Sequence, residues 1–248
     1  MKVGSLFSGI GGLDLGLERA GMTVVWQSEI DPYASKVLAK HWPTVPNLGD
    51  ITTIDWSGVE PVDLICGGFP CQDISNAGRR VGIGGIKSGL WKSMALAVRV
   101  LRPRYVLVEN VAALLVRGID VVLADLAALG FDADWSVLSA CRMGAPHTRE
   151  RVFLLAYPND ERHEASGQQG VRDDQAMAGR GISAEHVHEA SQSGRSPLGA
   201  HWSIEPDVDR LADGLSGDVD RRRLFALGNA VVPQVAEYVG RRIMAVAA

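Results

Sequence analysis

The stretch KVGSLFSGIGGLDLGLERAGMTVVWQSEID, residues 2–31, carries the reading that decides the fold. A β-rich run, Val3–Phe7, enters a glycine-rich turn, Phe7-Ser8-Gly9-Ile10-Gly11-Gly12, and leaves it as a helical pattern over Leu13–Ala20. Thr23–Ser28 then reads as a second strand ending on Glu29. Glycines between a strand and a helix let the backbone come close to a ligand at the strand's carboxyl end, where doubly wound sheets bind nucleosides. A glycine-rich turn alone is often only a tight turn. Glu29 at the end of the next strand changes its meaning, because a carboxylate there commonly accepts hydrogen bonds from both ribose hydroxyls.

Outward from this stretch the alternation continues. A helix is expected from about Pro32 to His41, with proline suited to the first turn. Val62–Cys66 is a continuous apolar strand, Leu90–Leu101 a helix stopping before Pro103, and Tyr105–Val108 another strand. Ile119–Leu129 reads as a helix, with Asp134–Ala140 and Arg151–Ala156 as two further strands. Apolar strands alternating with helices predict an α/β fold, a doubly wound, mainly parallel sheet covered by helices on both faces. From Pro158 to His201 the character changes: the stretch is polar, has no aromatic residue and shows little periodicity. It cannot bury a core of its own, and reads as a long loop, an insert or a partly disordered segment. Order returns near Leu224, and Gly228-Asn229-Ala230 leads into an amphipathic helix over about Pro233–Ala245.

Composition narrows the function classes. The 248 residues, 46% hydrophobic and 22% charged, suffice for one sizeable core with a small appended region. No apolar run reaches the roughly 18–20 residues of a membrane span. The opening Met1-Lys2-Val3-Gly4-Ser5-Leu6 reads as a strand start without a signal-peptide cleavage pattern. Three cysteines, Cys66, Cys71 and Cys141, form neither a disulfide framework nor a CxxC metal spacing, so a reducing, cytoplasmic setting and no metal are expected. The net charge of −4 does not announce a nucleic-acid binder, but its distribution is uneven. Every charged residue from Arg79 to Arg104 is basic, while Asp160 to Asp218 is acidic. Taken alone, such runs are as readily solvated faces.

Further chemistry-bearing residues fall at strand ends. Asp50-Ile51 follows Asn47-Leu48-Gly49, where a carboxylate meets an adenine amino group and Ile51 its ring face. Asp63-Leu64-Ile65-Cys66-Gly67-Gly68-Phe69-Pro70-Cys71-Gln72 places Cys66 inside an apolar run, as an inert core thiol, and Cys71 at the exit, where a thiolate nucleophile would face a cleft. Pro-Cys in isolation is more simply a loop cysteine. Glu109, directly after the strand Tyr105–Val108, is expected on the same carboxyl edge, with Asn110 able to cap a helix. In Pro146-His147-Thr148-Arg149-Glu150-Arg151-Val152-Phe153, entry into a strand would point Arg149 and Arg151 to one face, and two guanidiniums there grip a carboxylate, a phosphate or a base carbonyl.

Together these residues resemble the DNA (cytosine-5) methyltransferase family of bacteria and phages, over roughly residues 3–156 and 207–243 and in the family's order. Phe7–Gly12 resembles its cofactor loop, Glu29 its ribose carboxylate, Asp50-Ile51 its adenine contact and Gly68-Phe69-Pro70-Cys71-Gln72 its nucleophile motif. Glu109-Asn110-Val111, Arg149-x-Arg151 and Gly228-Asn229-Ala230-Val231-Val232-Pro233 resemble three later motifs, and Leu90-Trp91 the end of the mobile catalytic loop. The resemblance implies a Rossmann-like fold and S-adenosyl-L-methionine held by Phe7, Ile10, Gly11, Gly12, Glu29, Ile30, Asp50, Ile51, Gly68, Leu90, Asn229 and Val231. It implies that Cys71, Glu109, Arg149 and Arg151 act on a cytosine flipped out of duplex DNA, and that Gln72, Ser75, Arg79, Arg80 and Lys87 contact the DNA. The organisation expected is a catalytic and cofactor-binding domain over 1–157, a short target-recognition region over 158–220, and a C-terminal segment over 221–248 returning to the first domain. A monomer in a bacterial or phage-infected cell, with a cognate restriction endonuclease as partner, completes the expectation.

Two departures stand out. The family usually has Gln where this chain has His147, and the recognition region is short and acidic, offering only Arg172, Arg180, Arg195, Gln168, Gln169 and His186 as donors and acceptors for groove reading. Two alternatives stay open on the motifs: an RNA (tRNA) cytosine-5 methyltransferase, whose branch shares them, and a catalytically silent regulatory member. Retention of Cys71, Glu109 and both arginines weighs against the second.

Overall fold

In the structure, a computed structural model, residues 1–70, 89–159 and 217–247 are described. Six strands form one sheet: β1 (Lys2–Leu6), β2 (Thr23–Ser28), β3 (Leu64–Gly67), β4 (Tyr105–Val111), β5 (Phe131–Ser139) and β6 (Glu150–Pro158). Their order is β2-β1-β3-β4-β6-β5. The helices among the described residues are α1 (Gly12–Arg19), α2 (Pro32–His41), α3 (Leu90–Leu101), α4 (Leu114–Arg117), α5 (Ile119–Ala128), α6 (Gly217–Asn229) and α7 (Pro233–Ala247). The chain leaves β1 to one side to form β2 and returns to its other side as β3. That reversal of winding opens a crevice at the carboxyl ends of β1 and β3.

Period-two alternation sorts the core onto two faces. Ile65, Val106 and Val108 face a cluster with Trp91, Met94 and Val98 of α3 and Val122 and Leu126 of α5. Leu64, Cys66, Tyr105 and Leu107 face the opposite cluster, with Leu13 and Leu17 of α1 and Val235, Val239 and Ile243 of α7. The C-terminal helix is therefore part of the first domain's core. Its seat on α1 depends on small residues: a Cβ at Gly16 would overlap Ala236 and the Pro233 carbonyl.

The sheet is mainly parallel, as the strand–helix alternation predicts, with one strand reversed. Strands β1, β2, β3 and β4 are mutually parallel, but β6 runs antiparallel to both β4 and β5. Only residues 140–149 separate β5 from β6, including a short 3-10 turn at Ala140–Met143. A parallel crossover needs about a dozen residues or more, so this connection can only fold back. Several boundaries also move, two of them by three residues. β4 continues to Val111, which puts Glu109 inside the strand rather than after it, and β5 begins at Phe131 rather than Asp134. Helix α6 was not foreseen, since Leu224, Phe225 and Leu227 are all exposed and leave no apolar stripe to read. Most of the expected recognition region lies outside the described residues. No described helix is long and apolar enough to cross a membrane.

The α1–α7 contact yields a stability prediction. Gly16→Ala should lower unfolding free energy by roughly 1–3 kcal/mol through overpacking, despite alanine's better helix propensity. Gly58→Ala, with open space around the added carbon, should stay within about 0.5 kcal/mol of the parent. Urea titration followed by circular dichroism checks both.

Candidate active site

A cleft of about 840 Å³ opens at the carboxyl ends of β1, β2, β3 and β4. One wall is the loop after β1. Phe7 (φ 52°), Gly9 (φ 56°) and Gly11 (φ 80°) all take left-handed backbone there, folding the chain tightly into α1. Phe7 adopts that region without being glycine, a strain found mostly where function demands it. Glu29 stands opposite, one carboxylate oxygen accepting from the Gly9 N–H (2.8 Å) and the other from the Asp31 N–H (2.7 Å). Asn47 fixes the Glu29 backbone, accepting from its N–H (2.9 Å) and donating to its carbonyl (3.0 Å). Asp50 accepts from the backbone and hydroxyl of Thr52, which hold its carboxyl below the usual range, and Ile51 is buried behind it.

Phe7, Ile10, Gly12, Glu29, Ile30, Asp50, Ile51, Gly68, Leu90, Asn229 and Val231 all line this cleft. Gly11 does not. Its turn packs against Trp42, so it shapes the loop without touching the cleft. Two residues that the sequence pattern did not mark, Arg222 and Phe225, line the cleft from α6.

The second wall holds the titratable chemistry. Glu109 pairs across the ladder with Phe153, and Val111 with Arg151, so Arg151 is the diagonal neighbour of Glu109 on the same face. Their side chains meet at 3.2 Å, Arg151 Nε to Glu109 Oε1. Burial raises the Glu109 carboxyl to about 7, against the lowering charges of Arg151 and Arg149. Desolvation thus outweighs an ion pair in contact, and the group exchanges a proton near neutral pH, a property typical of acid–base residues. Gly68 makes room for it: a Cβ there would come within 2.6 Å of Glu109 Oε2.

Arg149 is placed differently from the sequence expectation. It lies before β6, at φ 30°, so strand alternation does not orient it. Its guanidinium donates to the carbonyls of Gly228 (2.8 Å) and Ala230 (2.7 Å), at the turn between α6 and α7. Asn110, expected at most to cap a helix, donates instead to the Phe69 carbonyl (3.1 Å) and accepts from the Val111 N–H (2.9 Å). It thereby ties β4 to the segment that leads through Pro70 to Cys71. Cys71 itself, with Gln72, Ser75, Arg79, Arg80 and Lys87, lies outside the described residues. Cys66 is fully buried and its thiol is pushed up by desolvation, the state of an inert core cysteine. Among the described residues no cluster of His, Cys, Asp and Glu is arranged to hold a metal ion.

A family model for C-5 cytosine-specific DNA methylases matches residues 1–198. The chain is 40% identical over 164 residues to the type II methyltransferase M2.BsuMI of Bacillus subtilis, covering 63% of this chain and 42% of that protein. It is 33% identical over 159 residues to the type II methyltransferase M.HhaI of Haemophilus parahaemolyticus, covering 62% of this chain and 48% of that one. The chain thus spans about half the length of these relatives. A solved structure described as a DNA modification methyltransferase from an Escherichia coli prophage superposes with a TM-score of 0.55 at 28% identity, over 65% of this chain and 48% of its own. The Schizosaccharomyces pombe Dnmt2 methyltransferase superposes at 0.54 and 22% identity, over 71% of this chain and 57% of its own, a likeness of fold.

Burial of Glu109 predicts a pH signature. A carboxyl whose folded pKa is raised stabilises the fold fully only below its unfolded value of 4.5, and that contribution is lost as pH rises through about 7. Glu109→Gln should therefore be more stable than the parent at pH 8, by on the order of 1–3 kcal/mol, with the gain shrinking at pH 5.5. Thermal melts at the two pH values read it directly.

Proposed function

This chain belongs to the C-5 cytosine-specific DNA methylase family, and on that premise we propose that it transfers a methyl group from S-adenosyl-L-methionine to C5 of a cytosine flipped out of duplex DNA. The observation that carries the reading is Glu109, a buried carboxyl that titrates near 7 and is held by Arg151 in the cleft that also contains a nucleoside-type wall. The matched family model, for C-5 cytosine-specific DNA methylases, and the prophage structure described as a DNA modification methyltransferase support DNA as the substrate.

The cofactor fits the residues present. Glu29 has both oxygens positioned by backbone N–H groups, which leaves lone pairs for two vicinal hydroxyls. Ile51 offers an apolar face, and Glu29, Asp31 and Asp50 make this end of the cleft acidic, suiting a nucleoside of net positive charge. When bound, S-adenosylmethionine supplies an electrophilic methyl group.

The chain's own residues supply the rest. Cytosine C5 is a poor nucleophile until a thiolate adds to C6. In this reading the Cys71 thiolate makes that bond, and Glu109 gives a proton or hydrogen bond to N3, taking up the charge that builds on the ring. The resulting enamine is nucleophilic at C5. After methyl transfer the C5 proton leaves to a base and Cys71 is expelled, restoring the aromatic ring and the thiolate. Arg151 orients Glu109, and Arg149 fixes the turn bearing Asn229 and Val231. The basic residues Arg79, Arg80 and Lys87, with Gln72 and Ser75, are assigned to DNA, whose phosphates they would neutralise. A cognate endonuclease and a monomeric state belong to the same proposal.

Labelled methyl transfer tests it. Wild-type protein should methylate duplex DNA and not tRNA, Cys71→Ala should transfer nothing, and Glu109→Gln should be slower by about 10²-fold or more. Transfer that survives Cys71→Ala, or that goes to RNA in preference to DNA, would sink the reading.

A further inference from the structure

We propose that Asp14 is a positioning residue for the cofactor pocket, a buried carboxylate that joins three of its walls and whose charge favours a cationic nucleoside in front of them. The proposal rests on the cofactor reading above and concerns a group that the methyl-transfer chemistry does not use.

Asp14 lies in the first turn of α1 and is fully buried. One oxygen accepts from the Ser5 hydroxyl on β1 (3.0 Å), the other from the Gln27 amide on β2 (2.9 Å). The Ser8 hydroxyl reaches Ser5 Oγ at 2.9 Å, which brings the glycine loop into the same cluster. Gln27 extends it further. Its backbone N–H donates to the Pro46 carbonyl (2.9 Å) and its carbonyl accepts from the Leu48 N–H (2.7 Å), fixing the segment that leads to Asp50 and Ile51. The carboxylate bonds β1 and β2 directly, the glycine loop joins through Ser8, and the Asp50 segment joins through the Gln27 backbone. Ser5, Ser8 and Leu13 line the cleft, whereas Asp14 does not, so the charge stands one hydrogen bond behind the pocket wall.

Stability alone does not account for this arrangement. Burying a carboxylate is costly, and apolar residues of similar volume usually serve a core at least as well. The cluster is also incompletely satisfied, since Gln27 Oε1 has no hydrogen-bond partner among the described residues. Desolvation raises Asp14 to about 6, with Glu18 adding to the rise and the Gln27 and Ser5 hydrogen bonds opposing it. Its contribution to folding is therefore complete only below 3.8 and is lost as pH rises through about 6. At neutral pH the protein carries a destabilised anion beside its ligand site, and a positive charge arriving in the cleft relieves it.

The surrounding elements offer few other charges. β1 presents Ser5, the loop after it Ser8 and β2 Gln27, β3 presents Cys66, and α1 itself adds Glu18. The packed helix α7 carries Arg242 and Glu237, the latter paired with Arg241 at 2.8 Å. Across the cleft, Glu109 titrates near 7 and must be silenced to see Asp14.

Calorimetric titration of Glu109→Gln protein with S-adenosylmethionine and S-adenosylhomocysteine, from pH 5.5 to 8 in two buffers of different ionisation heat, separates the terms. The two ligands share an ammonium and a carboxylate, and only the first has the sulfonium charge. S-adenosylmethionine affinity should fall about threefold to fivefold from pH 7.5 to 5.5, with proton release near pH 6, and S-adenosylhomocysteine affinity by less. Adding Asp14→Asn should lower S-adenosylmethionine affinity and abolish both its pH dependence and the proton release, while the melting temperature at pH 7.5 is kept or raised. Gln27→Met, which removes a donor to the carboxylate, should move the midpoint to higher pH. Unchanged pH dependence and proton release in the Asp14→Asn protein would overturn the role of Asp14 and leave the cofactor reading standing. Failure of wild-type protein to bind either ligand would overturn both.

Discussion

The cleft depends on a carboxylate held inside a β-ladder. Glu109 cannot reach solvent freely from the middle of β4, and its partner is dictated by the direction of β6. Had β6 run parallel to β4, its first residues would lie at the opposite edge of the sheet, and no arginine from them could approach Glu109. Because residues 140–149 are too few for a crossover, β6 folds back and delivers Arg151 to the diagonal position. A loop length thus sets an electrostatic pair. Gly68 on the neighbouring segment then gives the carboxylate the space that any side chain would take.

The same fold-back uses the second arginine to join the two ends of the chain. The last carbonyls of a helix lack intrahelical donors, and those at the end of α6 are met by the Arg149 guanidinium. That contact holds the turn from which Asn229 and Val231 enter the cleft. Val231 in turn lies so close to Gly12 that a side chain there would collide with its carbonyl. The glycine loop, strand β6 and the C-terminal segment are consequently one mechanical unit. The packing of α7 on α1, permitted by Gly16 and Gly240, supplies the apolar area that keeps it closed.

How legible this was from sequence follows from which interactions are local. The strands β1 to β4 and the helices α1, α2, α3, α5 and α7 announce themselves through apolar periodicity and through Pro32, Pro103 and Pro233 as punctuation. The glycine loop and Glu29 could be placed because each follows a readable strand, whereas Asp50 follows no strand and was placed by its motif alone. The reversed direction of β6 was not legible, since alternation is the same in a parallel and an antiparallel strand. Period-two reasoning therefore assigned Arg149 to the face of Arg151, when its left-handed backbone puts it outside the strand. Helix α6 was hidden by its exposed leucines and Phe225, and the side-chain bond from Asn110 to the Phe69 carbonyl spans 41 positions that no local pattern connects.

Two buried carboxylates of this chain answer the same desolvation in different ways, and the difference suits their places. Asp14 has two uncharged side-chain donors and no cation against it among the described residues, so burial is opposed only by hydrogen bonds and the carboxyl is raised to about 6. Its charge stands behind the wall. Glu109 has guanidiniums beside it, yet burial still leaves it near 7, so proton and carboxylate are both present at physiological pH. The proposed reaction, in which Glu109 gives a proton to a ring nitrogen and later recovers it, calls for that balance. A closer or more numerous set of cations would have driven the carboxyl down and taken the proton away. The Arg151 contact at 3.2 Å orients Glu109, and the lowering charges of Arg151 and Arg149 together fall short of the desolvation that raises it.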